Sequence, residues 1–439
     1  MLAAVKTRLL ASIDAGRLII VCGAGLSMAA PSGLPSAKAV AEKCFDNYRL
    51  RIDPQVDPNL RENLEAFAEY FVERDELKSM FIQRLVPWND FVRPYNAGHA
   101  AIADLLLTRA AVAGLSSNYD ILIERRAWDY GADFQGALDG DQANVTGVHH
   151  SPLLKFHGCS NLDREATVWA PSQLETPDVQ LRIASSKVWM AANLRKRDIL
   201  IVGFWSDWKY LNNIIGAALQ DIDPVSVTVV DPSPLAQLEE KAPNLWALAH
   251  QGNVVFNHIQ ESGAAVLDEL RRAFSQGIMR QVLSSGAAAF EEAMGIACPV
   301  QLIEIAETDS ELLYEWRRDA EGSPPDKAAK ARVPVRCDIV GMVHLLIRHA
   351  GGVVDGPYYD FNGQAVRVIN GANAALSEIR SRYVSAPSLK QADIVIAVGA
   401  YDSGLPGNFV RDGRVQDVIR PAAGGKWFDT AGGRDTLGI

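Results

Sequence analysis

Cysteine is scarce in this chain: five in 439 residues, at Cys22, Cys44, Cys159, Cys298 and Cys337. No two of them form a C-x-x-C pair, so neither a zinc ribbon nor a disulfide framework is encoded. Sparse, scattered thiols fit a reducing compartment, and the expected location is cytoplasmic. Long apolar runs are missing as well. No stretch reaches the roughly 18 uncharged apolar residues of a membrane span. The amino-terminal apolar run is interrupted by Arg8, Asp14 and Arg17 and does not read as a signal peptide. Positive charge is in deficit, with 43 Lys and Arg against 53 Asp and Glu and a net charge of −10. Direct nucleic-acid binding through the phosphate backbone is therefore not expected. No Walker lysine follows the first glycine turn, and no i, i+4 histidine pair marks a metal site, so no metal is expected.

What remains is the composition of a soluble globular protein, 48% hydrophobic and 22% charged. Its length suggests two or three folding units. Residues 2–14 read as an amphipathic helix. The run Leu18-Ile19-Ile20-Val21-Cys22 is short, β-branched and ends on glycine, which predicts a buried parallel strand. Helical periodicity follows over 37–48, over 59–86, where Leu64, Phe67, Ala68, Phe71 and Val72 share a face, and over 97–108. Strands are predicted at 111–117, 152–158, 198–204, 225–231 and 253–259. The intervening helices are predicted near 177–195, 209–220, 234–249 and 262–275. Alternating strands and helices predict an α/β fold, a doubly wound parallel Rossmann-like sheet with a helical insert at about 37–108. The expected division is a first domain over 1–275, a helical and linker region over 276–334 with the linker around 318–334, and a smaller α/β or mixed domain over 335–439.

In such sheets ligands lie beyond the carboxyl ends of the strands, at a switch point. Every notable motif falls there. Gly23, Ala24, Gly25 and Ser27 follow the first strand, where glycines let backbone N–H groups approach a phosphate; a tight strand-to-loop turn is the plain alternative. Asn118 and Asp120 follow the next strand. They could orient a ribose or a water, or Asp120 could simply cap the helix that follows. His157, in KFHG, could act as general base or hold sugar hydroxyls, since imidazole titrates near neutrality. A core histidine bonded to a carbonyl is the plainer reading. Gly203, Ser206 and Asp207 follow a fourth strand. Asp231 ends a fifth, where it could take ribose hydroxyls or make an Asp-Pro turn.

Taken in order, GAGLSMAAPSGLP, SSNYD, KFHG and GFWSD resemble the sirtuin (SIR2) family over roughly residues 15–260. The resemblance implies NAD bound as a substrate by Gly23, Ala24, Gly25 and Ser27. It implies Asn118 and Asp120 beside the nicotinamide ribose and His157 as base. Two departures matter. The paired C-x-x-C zinc module of sirtuin deacylases is absent, and their G-I-P-D-F-R loop reads Gly33-Leu34-Pro35-Ser36-Ala37-Lys38. The 59–86 insert and the Asn118-to-Glu124 spacing look more like SIR2-like NADases of bacterial anti-phage defence. That resemblance implies NAD+ glycohydrolase activity, a homo-oligomer, and a possible protein partner such as an ATPase or an Argonaute. A deacylase, and a non-catalytic NAD or ADP-ribose sensor, are the alternatives. The role of 276–439 is not read from the sequence.

Overall fold

The computed structural model describes residues 2–205, 223–252, 254–306, 309–329, 337–384, 392–412 and 416–439. The chain forms two compact units. The first holds residues 1–129 and 133–270; the second holds 130–132 and 271–439.

The first unit is built on six parallel strands: β1 (Leu18–Cys22), β2 (Ala113–Ser116), β3 (Leu153–Lys155), β4 (Asp198–Val202), β5 (Ser226–Val230) and β6 (Val255–Ile259). β1, β2, β3, β4 and β5 are buried along their whole length. This is why they read as apolar runs rather than alternating ones. Their order is β3-β2-β1-β4-β5-β6. β1 therefore pairs with β2 on one side and β4 on the other. The chain reverses its direction of sheet growth between β1 and β4, which makes that crevice the switch point of a doubly wound sheet. The amino ends are tied by Asp198, whose carboxylate accepts from Ser12 (2.9 Å) and Ser226 (2.6 Å) and pairs with Arg17.

The α-helices of this unit before β4 are α1 (Leu2–Asp14), α2 (Ala24–Met28), α3 (Ala37–Arg51), α4 (Leu64–Val72), α5 (Ala97–Leu107), α6 (Leu122–Asp129), α7 (Gly140–Thr146) and α8 (Pro177–Asn193). The helical insert has its own aromatic core, in which Phe45, Phe67, Phe71, Phe81, Trp88 and Trp169 are buried together. The single helical pattern predicted over 59–86 is in fact divided. A 3-10 turn covers Pro58–Leu60, α4 follows, and a π-helix covers Leu77–Leu85. Asn63 caps α4 by accepting from Ala66 N–H, and Asp75 takes a left-handed φ of 56°, so the helix cannot run through. The helix predicted at 209–220 lies outside the described residues.

The second unit holds a five-stranded mixed sheet. Gln364–Asn370, Ile394–Val398 and Lys426–Phe428 run parallel; Tyr358–Phe361 and Val353–Asp355 complete it antiparallel. The linker expected around 318–334 begins too early, because helix Ser310–Glu321 continues through its first residues. Its charges were the misleading signal. Asp319 is fully buried and accepts a bidentate pair from Arg367 at 2.6 and 2.7 Å, so a polar stretch is packed interior rather than solvated chain. The helix predicted over 262–275 extends over Gly263–Ser285.

Among the described residues, no helix is long and apolar enough to cross a membrane.

Candidate functional site

The first glycine turn is a helix start. Gly23 is extended, and α2 begins at Ala24 with Ala24 and Gly25 exposed. The glycines are dictated by the neighbouring strand end. A Cβ on Gly23 would sit 2.8 Å from the Gly203 carbonyl oxygen, and one on Gly25 would sit 2.9 Å from Gly203 Cα. Gly203 itself has φ +61°, and a Cβ there would meet Leu26 N at 2.3 Å. The N–H of Gly23 donates to the Val202 carbonyl (3.1 Å) and that of Gly25 to the Gly203 carbonyl (2.9 Å). Both groups are thus used to close the β1–β4 crevice, so the turn's glycines serve the fold first.

Ser27 is the hub of the site. It is buried, and its Oγ lies 3.0 Å from Asn118 Nδ2, 3.0 Å from His99 Nε2 and 2.9 Å from Asp120 Oδ2. The proton positions follow from the partners. Asn96 N–H donates to His99 Nδ1 (3.2 Å), so Nδ1 is the acceptor and Nε2 carries the proton. The Asn118 amide also donates to the Gly23 carbonyl (3.2 Å), which fixes nitrogen on that side. The Ser27 hydroxyl therefore accepts from His99 and Asn118 and donates to Asp120. Both lone pairs and its proton are engaged, and Asn118 Oδ1 is left as the acceptor end of that amide.

Asp120 does two jobs. Oδ2 takes the Ser27 proton, while Oδ1 accepts from Leu122 N–H (3.1 Å) at the start of α6. The helix-capping reading and the site reading both describe it. Beneath it Lys155 is fully buried. Its ammonium donates to the Asp120 carbonyl and to Glu124 Oε1 (3.1 Å). Burial alone would lower the Lys155 pKa, but Glu124, with Cys159 and Asp120, more than offsets it, and the ammonium is held above its ordinary value.

His157 is 2% exposed, and its Nδ1 lies 3.2 Å from the Ser117 carbonyl. Nδ1 thus carries the proton, and Nε2 is the basic nitrogen. Burial is the main cause that pushes its pKa down to about 3; the Ser117 carbonyl works against this and Arg182 with it. His99 is pushed down to about 4, again chiefly by burial. Both rings are neutral at pH 7. The near-neutral titration expected of His157 does not hold in this burial, and the ring is a hydrogen-bonding group rather than a stored proton. It stacks on Tyr119 at 5.9 Å between centroids, and Tyr119 stacks on Trp169 at 4.3 Å.

Gly23, Ser27, Asn118, Asp120, His157 and Gly203 thus all lie at the carboxyl ends of β1 to β4. Asp231 follows β5, but its carboxylate serves the turn there. Oδ1 accepts from Ser233 N–H and Oδ2 from Lys241, each at 2.8 Å. Burial pushes that carboxyl upward, and Lys241 and Ser233 outweigh it and hold the pKa below the usual range. Ser206 and Asp207 lie outside the described residues. The sequence reading missed His99 and Lys155. Asn96, three residues before His99, caps α5 in a reciprocal box, and that spacing was the available signal. Lys155 is a lone cation inside the apolar run Leu153–Phe156, where a buried charge needs a partner.

No family model matches the chain, and no curated protein matches it. Among solved structures it is similar to a Sir2 homolog in complex with NAD, at 16% identity over 60% of this chain and 91% of that one, with a TM-score of 0.32. It is similar to a structure reported for the mechanism and regulation of Sir2 enzymes, at 15% identity over 61% of this chain and 94% of that one, with a TM-score of 0.32. A third similar structure is a Sir2 bound to an inhibitor, 2′-O-acetyl-ADP-ribose and a deacetylated peptide, at 12% identity over 62% of this chain and 98% of that one, with a TM-score of 0.31.

Proposed function

We propose that the first unit is an NAD+ glycohydrolase that cleaves the nicotinamide–ribose bond to nicotinamide and ADP-ribose. The observation that carries this reading is the meeting of Asn118, Ser27, Asp120 and His157 at one edge of the sheet, beside the β1–β4 switch point. Its departures from the deacylase sequence pattern favour water over an acyl-lysine as the acceptor. The breaking bond is the C1′–N bond. Nicotinamide leaves with the bonding pair, water adds its oxygen to C1′, and a proton is released.

In this reading Ser27 does not meet the ligand through its hydroxyl, which is already saturated. It holds the Asn118 amide so that Oδ1 faces the ribose and the attacking water. Neutral His157 accepts from a ribose hydroxyl through Nε2. Holding both groups in a buried, preformed arrangement lowers the cost of reaching an oxocarbenium-like state. We further propose that the activity depletes NAD in an anti-phage response, within an oligomer or with a protein partner.

The test is incubation of the full chain with NAD, with nicotinamide and ADP-ribose resolved by chromatography. Asn118→Ala and His157→Ala should each lower turnover about 10²-fold, the scale of lost positioning groups. Unchanged turnover in both variants would remove the assignment. Product that forms only when an acylated peptide is added would replace it with a deacylase.

A further inference from the structure

A cavity of about 310 Å3 opens beside α6, and none of the Ser27 group lines it. The residues that line it include the aromatics Trp128 and Phe134, the acids Glu124 and Asp133, and the amides Gln135 and Asn161. No Lys or Arg is among the described residues that line it. The volume is at the low end of the ~300–1,000 Å3 typical of small-molecule sites, which suits a ligand of one ring.

The wall chemistry is selective. Trp128 is 43% exposed, unusual for so large an apolar side chain, yet its Nε1–H donates to the Phe134 carbonyl at 2.7 Å. The indole is therefore held in place while remaining open to solvent. Glu124 is neutralised by Lys155 through Oε1. Asp133 is exposed and forms no ion pair with another described residue. A fixed aromatic ring and an acidic residue lining one cavity, with no basic residue among the described lining, attract a flat cation and disfavour an anion.

We propose that this cavity binds a small planar organic cation of the arylamidinium or heteroaryl-ammonium class. One wall residue ties it to the Ser27 group. Glu124 holds Lys155, Lys155 donates to the Asp120 carbonyl, and Asp120 holds the Ser27 hydroxyl. An occupant touching Glu124 thus acts on the carboxylate that anchors the site. This second part rests on the NAD reading, whereas the binding part does not.

The test titrates benzamidinium, benzamide and benzoate into the full chain by calorimetry. Benzamidinium should bind saturably, benzamide about tenfold more weakly, and benzoate not at all. Trp128→Ala and Asp133→Asn should each weaken benzamidinium about tenfold, with circular dichroism confirming the fold. Equal binding of the three probes, or unaltered binding in both variants, overturns the site. NAD turnover is then measured with and without saturating benzamidinium. A change of severalfold is expected, and an unchanged rate overturns the link to Ser27. Benzamidinium binding in a chain that never releases nicotinamide supports the cavity and removes the glycohydrolase reading.

Discussion

Lys155→Met offers a quantitative test of the site's foundation. The wild-type ammonium and the Glu124 carboxylate are 1% and 3% exposed and 3.1 Å apart. Methionine fills a similar space but leaves Glu124 charged and buried with its cation removed. Breaking one side of a buried pair costs about 3–5 kcal/mol, because the remaining charge keeps its desolvation penalty without its partner. For a domain of this size class, about 2–4 °C is lost per kcal/mol, so the unfolding midpoint should fall by roughly 6–20 °C. Lys155→Met with Glu124→Leu removes both charges and should recover most of that loss. Thermal and urea denaturation of the wild type, both single variants and the double variant completes the cycle. If Lys155→Met stayed within about 1 kcal/mol of wild type, or the double variant were no more stable than Lys155→Met, the ion pair would not be the support described here.

Gly203→Ala should destabilise the protein by about 3 kcal/mol, since it combines a left-handed backbone with a Cβ 2.3 Å from Leu26 N; an unshifted urea midpoint would contradict the packing. The pH dependence has a definite sign. His157 and His99 have folded-state pKa values of about 3 and about 4, against 6.5 for an ordinary imidazole. Below pH 6.5 the unfolded chain binds protons that the folded chain does not. Stability present above that pH is therefore lost as pH falls toward 4 and then 3. By pH 5 the loss is about 2 kcal/mol per ring. Comparing urea midpoints at pH 7 and pH 5, His157→Gln should lose less than the wild type; an equal loss would mean that the ring is not buried neutral.

The parallel sheet was readable from the sequence because its strands are buried on both faces. Runs such as Leu18–Cys22 and Asp198–Val202 then stand out as short apolar blocks with glycine behind them. The placement of Asn118, Asp120 and His157 was readable for the same reason, since parallel strands bring all their carboxyl ends to one edge. Strand order was not readable, because it depends on pairings between residues far apart in sequence, such as Ile19 with Ile199. Proton positions were also hidden. The direction of every hydrogen bond around Ser27 depends on Asn96 and Gly23, which lie 69 positions C-terminal and 4 positions N-terminal of it in the chain. The linker was started too early because Arg318 and Asp319 are polar in composition yet interior in fact. The pKa of His157 was not readable either, because burial pushes it down from the near-neutral reference value.

The contact between Gly23, Gly25 and Gly203 has a consequence for how this rim can change over time. Main chain lies directly against main chain there, and at Gly23 the Phe204 side chain is close as well. A bulkier residue at any one position would meet backbone atoms, which shortening the Phe204 side chain would not remove. Only a shift of the strands themselves would do so, and β1 is bonded along its length to β2 and β4. The three positions are therefore constrained jointly, and recombination with a distant relative could exchange them only as a set.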